Sequence, residues 1–106
     1  AGNFVLPNPT TVGAAASALE SKTPPDQRIS LIYAPGENSY PIINYEYAIV
    51  NSKQANADTA TAVRDFLTWA VDPAGGNSSE FLGPVQFLPL PEKIAALSKA
   101  QIAKIQ

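Results

Sequence analysis

One alternating segment, residues 40–50 (YPIINYEYAIV), constrains the fold of this chain more than any other. β-Branched and aromatic residues alternate along it, which is the pattern that a pleated, half-buried strand selects. One side of the extended backbone would carry the larger apolar side chains: Ile43, Tyr45, Tyr47 and Ile49. Eleven residues is long for a strand in a small domain. We therefore expect this segment to pass from one structural unit into another.

Composition excludes several classes of protein. The 106 residues include no Cys and no His, so zinc sites, iron–sulfur clusters, haem ligation, disulfide scaffolds and Ser-His or thiol catalysis lack their usual side chains. Seven Lys and Arg against nine Asp and Glu, a net charge of -2, argue against electrostatic binding of nucleic acid. A chain of this length is enough for one small domain.

The sequence carries no visible targeting or membrane signal. No apolar run approaches the roughly 20 residues that span a bilayer, and the first residues have neither the basic region nor the apolar block of a signal peptide. We therefore expect the chain to be soluble as written. It also lacks Met and begins with Ala. Since translation starts with Met, we expect a trimmed chain or a piece of a longer protein.

Three helices are predicted from capping signals and apolar periodicity. The first begins at Asn8-Pro9, where Asn caps free amides and Pro suits the first helical position, and it ends before the prolines at 24 and 25. The second begins at Asn56 or Asp58 and runs to about Val71. The third opens at Pro91-Glu92 and places its apolar residues on one side: Ile94, Leu97, Ile102 and Ile105.

The segments between the helices complete an α/β pattern. Residues 28–34 (RISLIYA) predict a short strand, residues 77–83 a loop, and residues 84–91 (PVQFLPLP) an extended connection punctuated by proline. The order is helix, strand, long strand, helix, extended segment, helix. This order is typical of the α/β class.

The densest group of polar and aromatic side chains is Tyr45, Glu46 and Tyr47. Glu46 could serve as a general acid or base if burial raised its pKa. Alternatively, the tyrosines pack on one face of a strand while Glu46 points to the other. Asp58 and Asp65 lie seven residues apart on one predicted helix, where a cap and a solvated face explain them. No carboxylate pair has a spacing that suggests a metal site.

Residues 75–78 (GGNS) share only composition with a phosphate-cradling loop. Such a loop follows a strand and opens a helix, whereas this one follows a helix, so a chain reversal is predicted. Residues 77–79 (NSS) fit the N-glycosylation pattern. Trp69 could stack on a sugar or a base. Its position beside Phe66 and Leu67 favours packing in a core or a domain interface.

An ordered set of landmarks runs along the chain. It comprises residues 40–50, Lys53-Gln54, a helix with residues 66–70 (FLTWA), residues 87–91 (FLPLP) and a Lys-bearing last helix. In this order and spacing the landmarks resemble the C-terminal part of the PstS family, the periplasmic phosphate-binding proteins that feed phosphate ABC transporters. Asn3-Phe4 and the alanine-rich first helix resemble the mycobacterial and related actinobacterial members. The resemblance covers essentially the whole chain.

The resemblance implies a fold as well as a function. Proteins of this family are α/β, with the two lobes and the ligand cleft of the type II periplasmic binding protein fold. By this likeness residues 1–39 end the second lobe, residues 40–50 form a hinge-crossing strand, and residues 51–106 complete the first lobe. The implied function is high-affinity binding of inorganic phosphate and its delivery to an ABC transporter, with no catalysis and no cofactor.

The resemblance also implies that the phosphate ligands lie elsewhere. In this family they are backbone amides at helix N-termini, Ser and Thr hydroxyls, an Arg and an Asp, all from earlier segments. Arg28 and Arg64 are the only arginines here and lie outside the family's Ser-Gly-Thr context. No ligand-binding, catalytic or metal-binding residue is therefore assigned to this segment.

The expected partners follow from the same likeness. They are the N-terminal remainder of the same protein, inorganic phosphate bound by that remainder, and the transporter permease. The expected location is extracytoplasmic, in the periplasm or at the cell surface, with a lipid anchor on the remainder.

Two other hypotheses stay open at this point. The chain could be a free-standing small α/β interaction module without ligand chemistry, or a small hydrolase that uses Glu46 or Asp65. A chain that folds cooperatively without a companion polypeptide would favour the module.

Overall fold

A computed structural model describes residues 2–106. This part of the chain contains four α-helices: α1 (Pro9–Leu19), α2 (Ala57–Val71), α3 (Ser79–Leu82) and α4 (Glu92–Ile102). Two 3₁₀ turns, Glu20–Lys22 and Gly83–Val85, follow α1 and α3. The chain divides into two compact units, the first ending at Tyr47 and the second being Ala48–Gln106. The assignment of residues 1–39, 40–50 and 51–106 to two lobes and a hinge stays a prediction, and its residue 1 lies outside the described residues.

In the first unit, α1 begins where the capping signals predicted. The Asn8 side chain accepts a hydrogen bond from the Thr11 N–H (3.0 Å), and the Thr11 hydroxyl accepts one from the Asn8 N–H (3.1 Å). Pro9 occupies the first helical position, where its missing N–H has no helical partner to lose. A buried Ala15 faces the interior, and Leu31 supplies the largest fully buried side chain of this unit. The prediction of the first helix is confirmed.

The prediction of an α/β fold was wrong, because no residue between 2 and 106 belongs to a strand. A backbone hydrogen bond from the Tyr33 N–H to Pro41 O (2.9 Å) joins the two segments that the sequence predicted as strands. It does not continue into a ladder. Tyr33 adopts a left-handed conformation (φ 56°) that turns the chain, and Pro41 has no N–H to donate in return. A strand exists only where a neighbouring strand pairs with its backbone, and neither segment finds such a neighbour in this unit.

Half-buried and exposed side chains still alternate in the first half of residues 40–50, although the segment belongs to no sheet. Pro41, Ile43 and Tyr45 are half-buried, while the residues between them are exposed. Beyond Tyr45 the alternation ends: Tyr47 is 43% and Ile49 93% exposed. The periodicity therefore correctly predicted which side of residues 41–45 is covered, and it wrongly predicted a paired strand.

The second unit is built on the packing of α2 against α4. Ala60 of α2 and Ile102 and Ile105 at the end of the chain are buried together, and further apolar side chains of α2 pack against them: Val63, Leu67 and Val71. The N-cap of α2 is Asn56, whose side chain accepts a hydrogen bond from the Thr59 N–H (2.9 Å). This decides between the two residues that the sequence left open as the cap. The two helices that the sequence predicted in this unit are confirmed, although α4 ends at Ile102 and Ile105, which was placed on it, lies beyond its end.

The connection between α2 and α4 is more structured than the sequence predicted. The predicted loop contains the short helix α3, and the predicted extended segment opens with a 3₁₀ turn. Gln86 takes a left-handed conformation (φ 62°) there, and the Phe87 N–H donates to Leu82 O (3.0 Å). After Gln86 the chain forms no helix or turn until α4 begins. Phe81 of α3 contacts Trp69, which lies twelve residues earlier and which the local sequence cannot show as a neighbour.

Candidate functional site

The group of Tyr45, Glu46 and Tyr47 does not form an acid–base site. Glu46 is exposed, whereas the Tyr47 hydroxyl lies 2.7 Å from Gln27 O and 3.1 Å from Ile29 O, so it donates to the backbone of the same unit. Burial, and more weakly the charge of Glu20, raises the pKa of Tyr45. The Tyr45 hydroxyl oxygen is buried and has no hydrogen-bond partner among the described residues. These contacts favour packing over proton transfer.

The turn after α2 uses its amides internally. The Gly75 N–H donates to Asp72 O (2.9 Å), the Gly76 N–H to Trp69 O (2.9 Å) and the Asn77 N–H to Asp72 O (3.0 Å). The Asp72 side chain accepts from the Ala74 N–H (2.9 Å). With these donors satisfied, the turn has no row of free amides for an anion. The predicted chain reversal is confirmed.

Asn77 has a structural role that sequence reasoning missed. Its side chain is 6% exposed, and it pairs with the backbone of Leu90 in both directions. The side-chain oxygen accepts from the Leu90 N–H (2.6 Å), and Nδ2 donates to Leu90 O (3.2 Å). Because this side chain is buried against the backbone of Leu90, the NSS pattern is not an accessible glycosylation site in the folded unit. The residues around Asn77 in the sequence do not show whether an Asn in this turn is buried or exposed, so no local signal revealed this role.

Both arginines are engaged in local structure. Arg28 pairs with Asp26 through Nη2 (2.8 Å) and Nε (2.8 Å) on an exposed surface. Arg64 on α2 donates to Ile105 O and, at 3.2 Å, to the Thr61 hydroxyl. Arg64 therefore ties the residues after α4 to α2.

The carboxylates are equally dispersed. Asp58 and Asp65 are exposed on α2, in agreement with a solvated face. Among residues 2–106, no three His, Cys, Asp or Glu side chains come together in a way that could hold a metal ion.

Two open depressions lie on the first unit, with volumes of about 660 and 330 Å³. Both are lined by Gly2, Asn3 and Val5 and by the turn at Glu37. Glu37 is the charged residue in each lining, and a carboxylate repels an anion. The start of α1 borders the larger depression, but its capping box already satisfies the Thr11 N–H. Neither depression suits phosphate.

Three aromatic side chains form an exposed cluster on the second unit, which we call the aromatic patch: Phe66, Trp69 and Phe81. The rings of Phe66 and Trp69 are stacked with centroids 6.3 Å apart, and Phe81 meets Trp69 edge-on at 5.2 Å. The sequence singled out Trp69 and Phe66 as neighbours on a helix. Phe81 was missed as their partner because it comes from α3, twelve residues further along the chain.

No helix within residues 2–106 combines the length and the apolar character that crossing a membrane requires.

Comparison with known proteins finds relatives over almost the whole chain. It is 33% identical to the phosphate-binding protein PstS of Methanocaldococcus jannaschii, in a match that covers 91% of this chain and 26% of the relative. It is 27% identical to the phosphate-binding protein PstS of Haemophilus influenzae, over 95% of this chain and 29% of the relative.

A viral protein that is not described as a phosphate-binding protein is also similar to this chain. A candidate serine/threonine-protein kinase/receptor of Acanthamoeba polyphaga mimivirus is 33% identical over 92% of this chain, which is 6% of its own length. No family model matches the chain. The chain is thus similar to PstS phosphate-binding proteins over more than nine-tenths of its length, and it spans between a quarter and three-tenths of theirs.

Proposed function

We propose that this chain is the C-terminal structural segment of a phosphate-binding protein that delivers inorganic phosphate to an ABC transporter. The observation that carries the proposal is the match to PstS proteins of two organisms across 91% and 95% of the chain. The protein is a binding protein and not an enzyme, and it needs no cofactor. We further propose that it works outside the cytoplasm, anchored through a lipid on the remainder. Asn3-Phe4 and the alanine-rich α1 support placing it with the actinobacterial members of the family.

The segment contributes framework, and the phosphate ligands come from the remainder of the protein. Three observations support this division. Arg28 and Arg64 are engaged by Asp26, Thr61 and Ile105. The amides of the turn after α2 donate within the turn. The N-terminus of α1 is capped by its own side chains.

Calorimetric titration of the isolated chain with inorganic phosphate tests whether the phosphate ligands lie in the remainder and not in this segment. We expect no heat of binding, because the described surface has no convergent set of cations and free amides. Binding tighter than about 1 mM by the isolated chain would contradict the assignment of the ligands to the remainder.

A segment exchange tests the proposed function itself. This chain replaces the matching quarter of the Methanocaldococcus jannaschii PstS, and phosphate binding by the chimaera is compared with that of the parent and of the parent without its matching quarter. We expect the chimaera to bind within about tenfold of the parent and the shortened parent to lose binding. A chimaera that fails to bind phosphate would contradict the proposal and leave the interaction module as the better hypothesis.

A further inference from the structure

The aromatic patch combines exposure with close contact between its members. Phe66, Trp69 and Phe81 are 63%, 45% and 49% exposed, yet each touches a neighbouring ring. Aromatic side chains that gather on a surface mark interaction sites, because single exposed apolar residues are common and clusters of them are not.

Trp69, the ring that both other members of the patch contact, packs against the turn after α2. A Cβ atom placed on Gly75 would lie 2.8 Å from Cδ1 and Nε1 of Trp69, and one on Gly76 would lie 3.0 Å from Cζ3. The glycine backbone therefore packs directly against the indole ring. A ring fixed in this way loses little conformational entropy when a partner covers it.

Helix α2 is apolar on two sides. Val63, Leu67 and Val71 face the core of the second unit, where Ile102 and Ile105 are buried. Phe66 and Trp69 fall on another side of the same helix, which remains exposed. A surface helix normally carries a single apolar stripe, and an apolar second side is typical of a helix packed between two layers.

The size of the relatives indicates what covers this second side. The match covers 26% of the Methanocaldococcus jannaschii PstS, so 74% of that relative lies outside it. We propose that the aromatic patch is the surface through which this segment packs against the remainder of a phosphate-binding protein. The inference rests on the proposed function and names the contact that joins the two parts.

Cysteine accessibility tests the contact, because the chain contains no Cys of its own. Phe81→Cys and Phe66→Cys are made separately in the isolated chain and in the chimaera with the Methanocaldococcus jannaschii PstS. The rate of alkylation by iodoacetamide is read at the introduced site by peptide mass spectrometry. Lys99→Cys, at an exposed position on α4, is the control.

We expect all three sites to react freely in the isolated chain. In a chimaera that binds phosphate, sites 66 and 81 should react at least about tenfold more slowly, and site 99 at an unchanged rate. If Phe81→Cys unfolds the chimaera but leaves the isolated chain folded, the difference also supports burial of Phe81 against the remainder.

The outcomes separate this inference from the proposed function. A chimaera that binds phosphate while sites 66 and 81 react as fast as site 99 overturns the inference and leaves the function standing. Protection in the isolated chain that grows with its concentration would assign the patch to a second copy and overturn it as well. A chimaera without phosphate binding removes the function and the inference together.

Discussion

The Asn77 side chain and the Tyr45 hydroxyl are buried polar groups with opposite outcomes. The Asn77 amide satisfies the N–H and the C=O of Leu90, so each of its two polar atoms has a partner. The Tyr45 hydroxyl is buried without one. Burying a polar group is costly unless a hydrogen bond replaces its contacts with water. Asn77 should therefore stabilise the second unit, and the Tyr45 hydroxyl should destabilise the first.

Asn77→Ala should lower the free energy of unfolding by about 1–3 kcal/mol, because it leaves the buried backbone groups of Leu90 unpaired. Urea unfolding followed by circular dichroism measures the loss. Asn38→Ala, at an exposed position, is the control and should change the stability by less than about 0.5 kcal/mol. Equal effects of the two substitutions would show that the pairing with Leu90 contributes nothing.

Tyr45→Phe should raise the free energy of unfolding by about 1 kcal/mol at neutral pH, since it removes an unpaired buried hydroxyl. Tyr47→Phe is the matched control. It removes a hydroxyl that contacts Gln27 O and Ile29 O and should destabilise by about 1 kcal/mol. The prediction fails if both substitutions shift the urea midpoint in the same direction.

Comparison of the wild type with Tyr45→Phe also predicts how stability depends on pH. The pKa of Tyr45 is raised above 10.0 in the folded chain, chiefly by burial, so folding favours the neutral phenol. This contribution is present in full below pH 10.0 and is lost as the pH rises through the folded-state pKa. The difference in stability between wild type and Tyr45→Phe should therefore widen above pH 10.0 in favour of the variant. A difference that stays constant there would contradict the burial of the phenol.

Asp26 offers a residue-scale test at the surface. The Arg28 N–H and then its guanidinium hold the pKa of Asp26 below the usual 3.8. In Arg28→Gln the backbone donor remains and the charge is lost, so the pKa of Asp26 should rise only part of the way back. Titration of the carboxyl by NMR measures the shift. An unchanged pKa would mean that the ion pair is not formed in solution.

At the scale of the element, helix ends and turns carry the local information. Asn8, Pro9 and Asn56 begin helices where their side-chain chemistry predicts. The turn after α2 adds a packing demand, because Gly75 lies against both the indole and the carbonyl oxygen of Trp69. The composition of this turn predicted a chain reversal. Its close contact with Trp69 became visible only in three dimensions.

Gly75→Ala should destabilise the second unit by about 1–3 kcal/mol, because the new Cβ would lie 2.8 Å from Trp69 O, a backbone atom that cannot turn aside. Gly83→Ala is the matched control. A Cβ there meets nothing within 4 Å, and the residue has a helical conformation, so the change should be neutral or slightly stabilising. Thermal unfolding of both variants decides the point, and a silent Gly75→Ala would contradict the close packing.

At the scale of the whole molecule, the chain leaves much apolar surface uncovered. Leu31 and Ile94 are its largest fully buried side chains, while Phe4, Ile49 and the aromatic patch remain exposed. Under the proposed function, in which this chain is one segment of a phosphate-binding protein, the remainder would cover such surfaces. Residues 43–50 are a further part of the chain that the remainder would cover.

Hydrogen exchange tests this description of residues 43–50 in the isolated chain. Their backbone amides have no helical or ladder partner, so they should exchange at least about a hundredfold faster than the central amides of α2. NMR or mass spectrometry measures the rates. Protection of residues 43–50 equal to that of α2 would show that the segment is paired in solution.

The sequence by itself determined the three longer helices, the N-cap of α1 and the reversal after α2, because these depend on residues within one or two turns of each other. It also determined the likeness to PstS proteins, which lies in an ordered set of landmarks. Only the tertiary structure showed that residues 28–34 and 40–50 are not strands. It also revealed the pairing of Asn77 with Leu90 and the contact of Phe81 with Trp69. A strand, a buried amide and an aromatic cluster each need a partner distant in the chain, and local periodicity cannot show whether that partner is present.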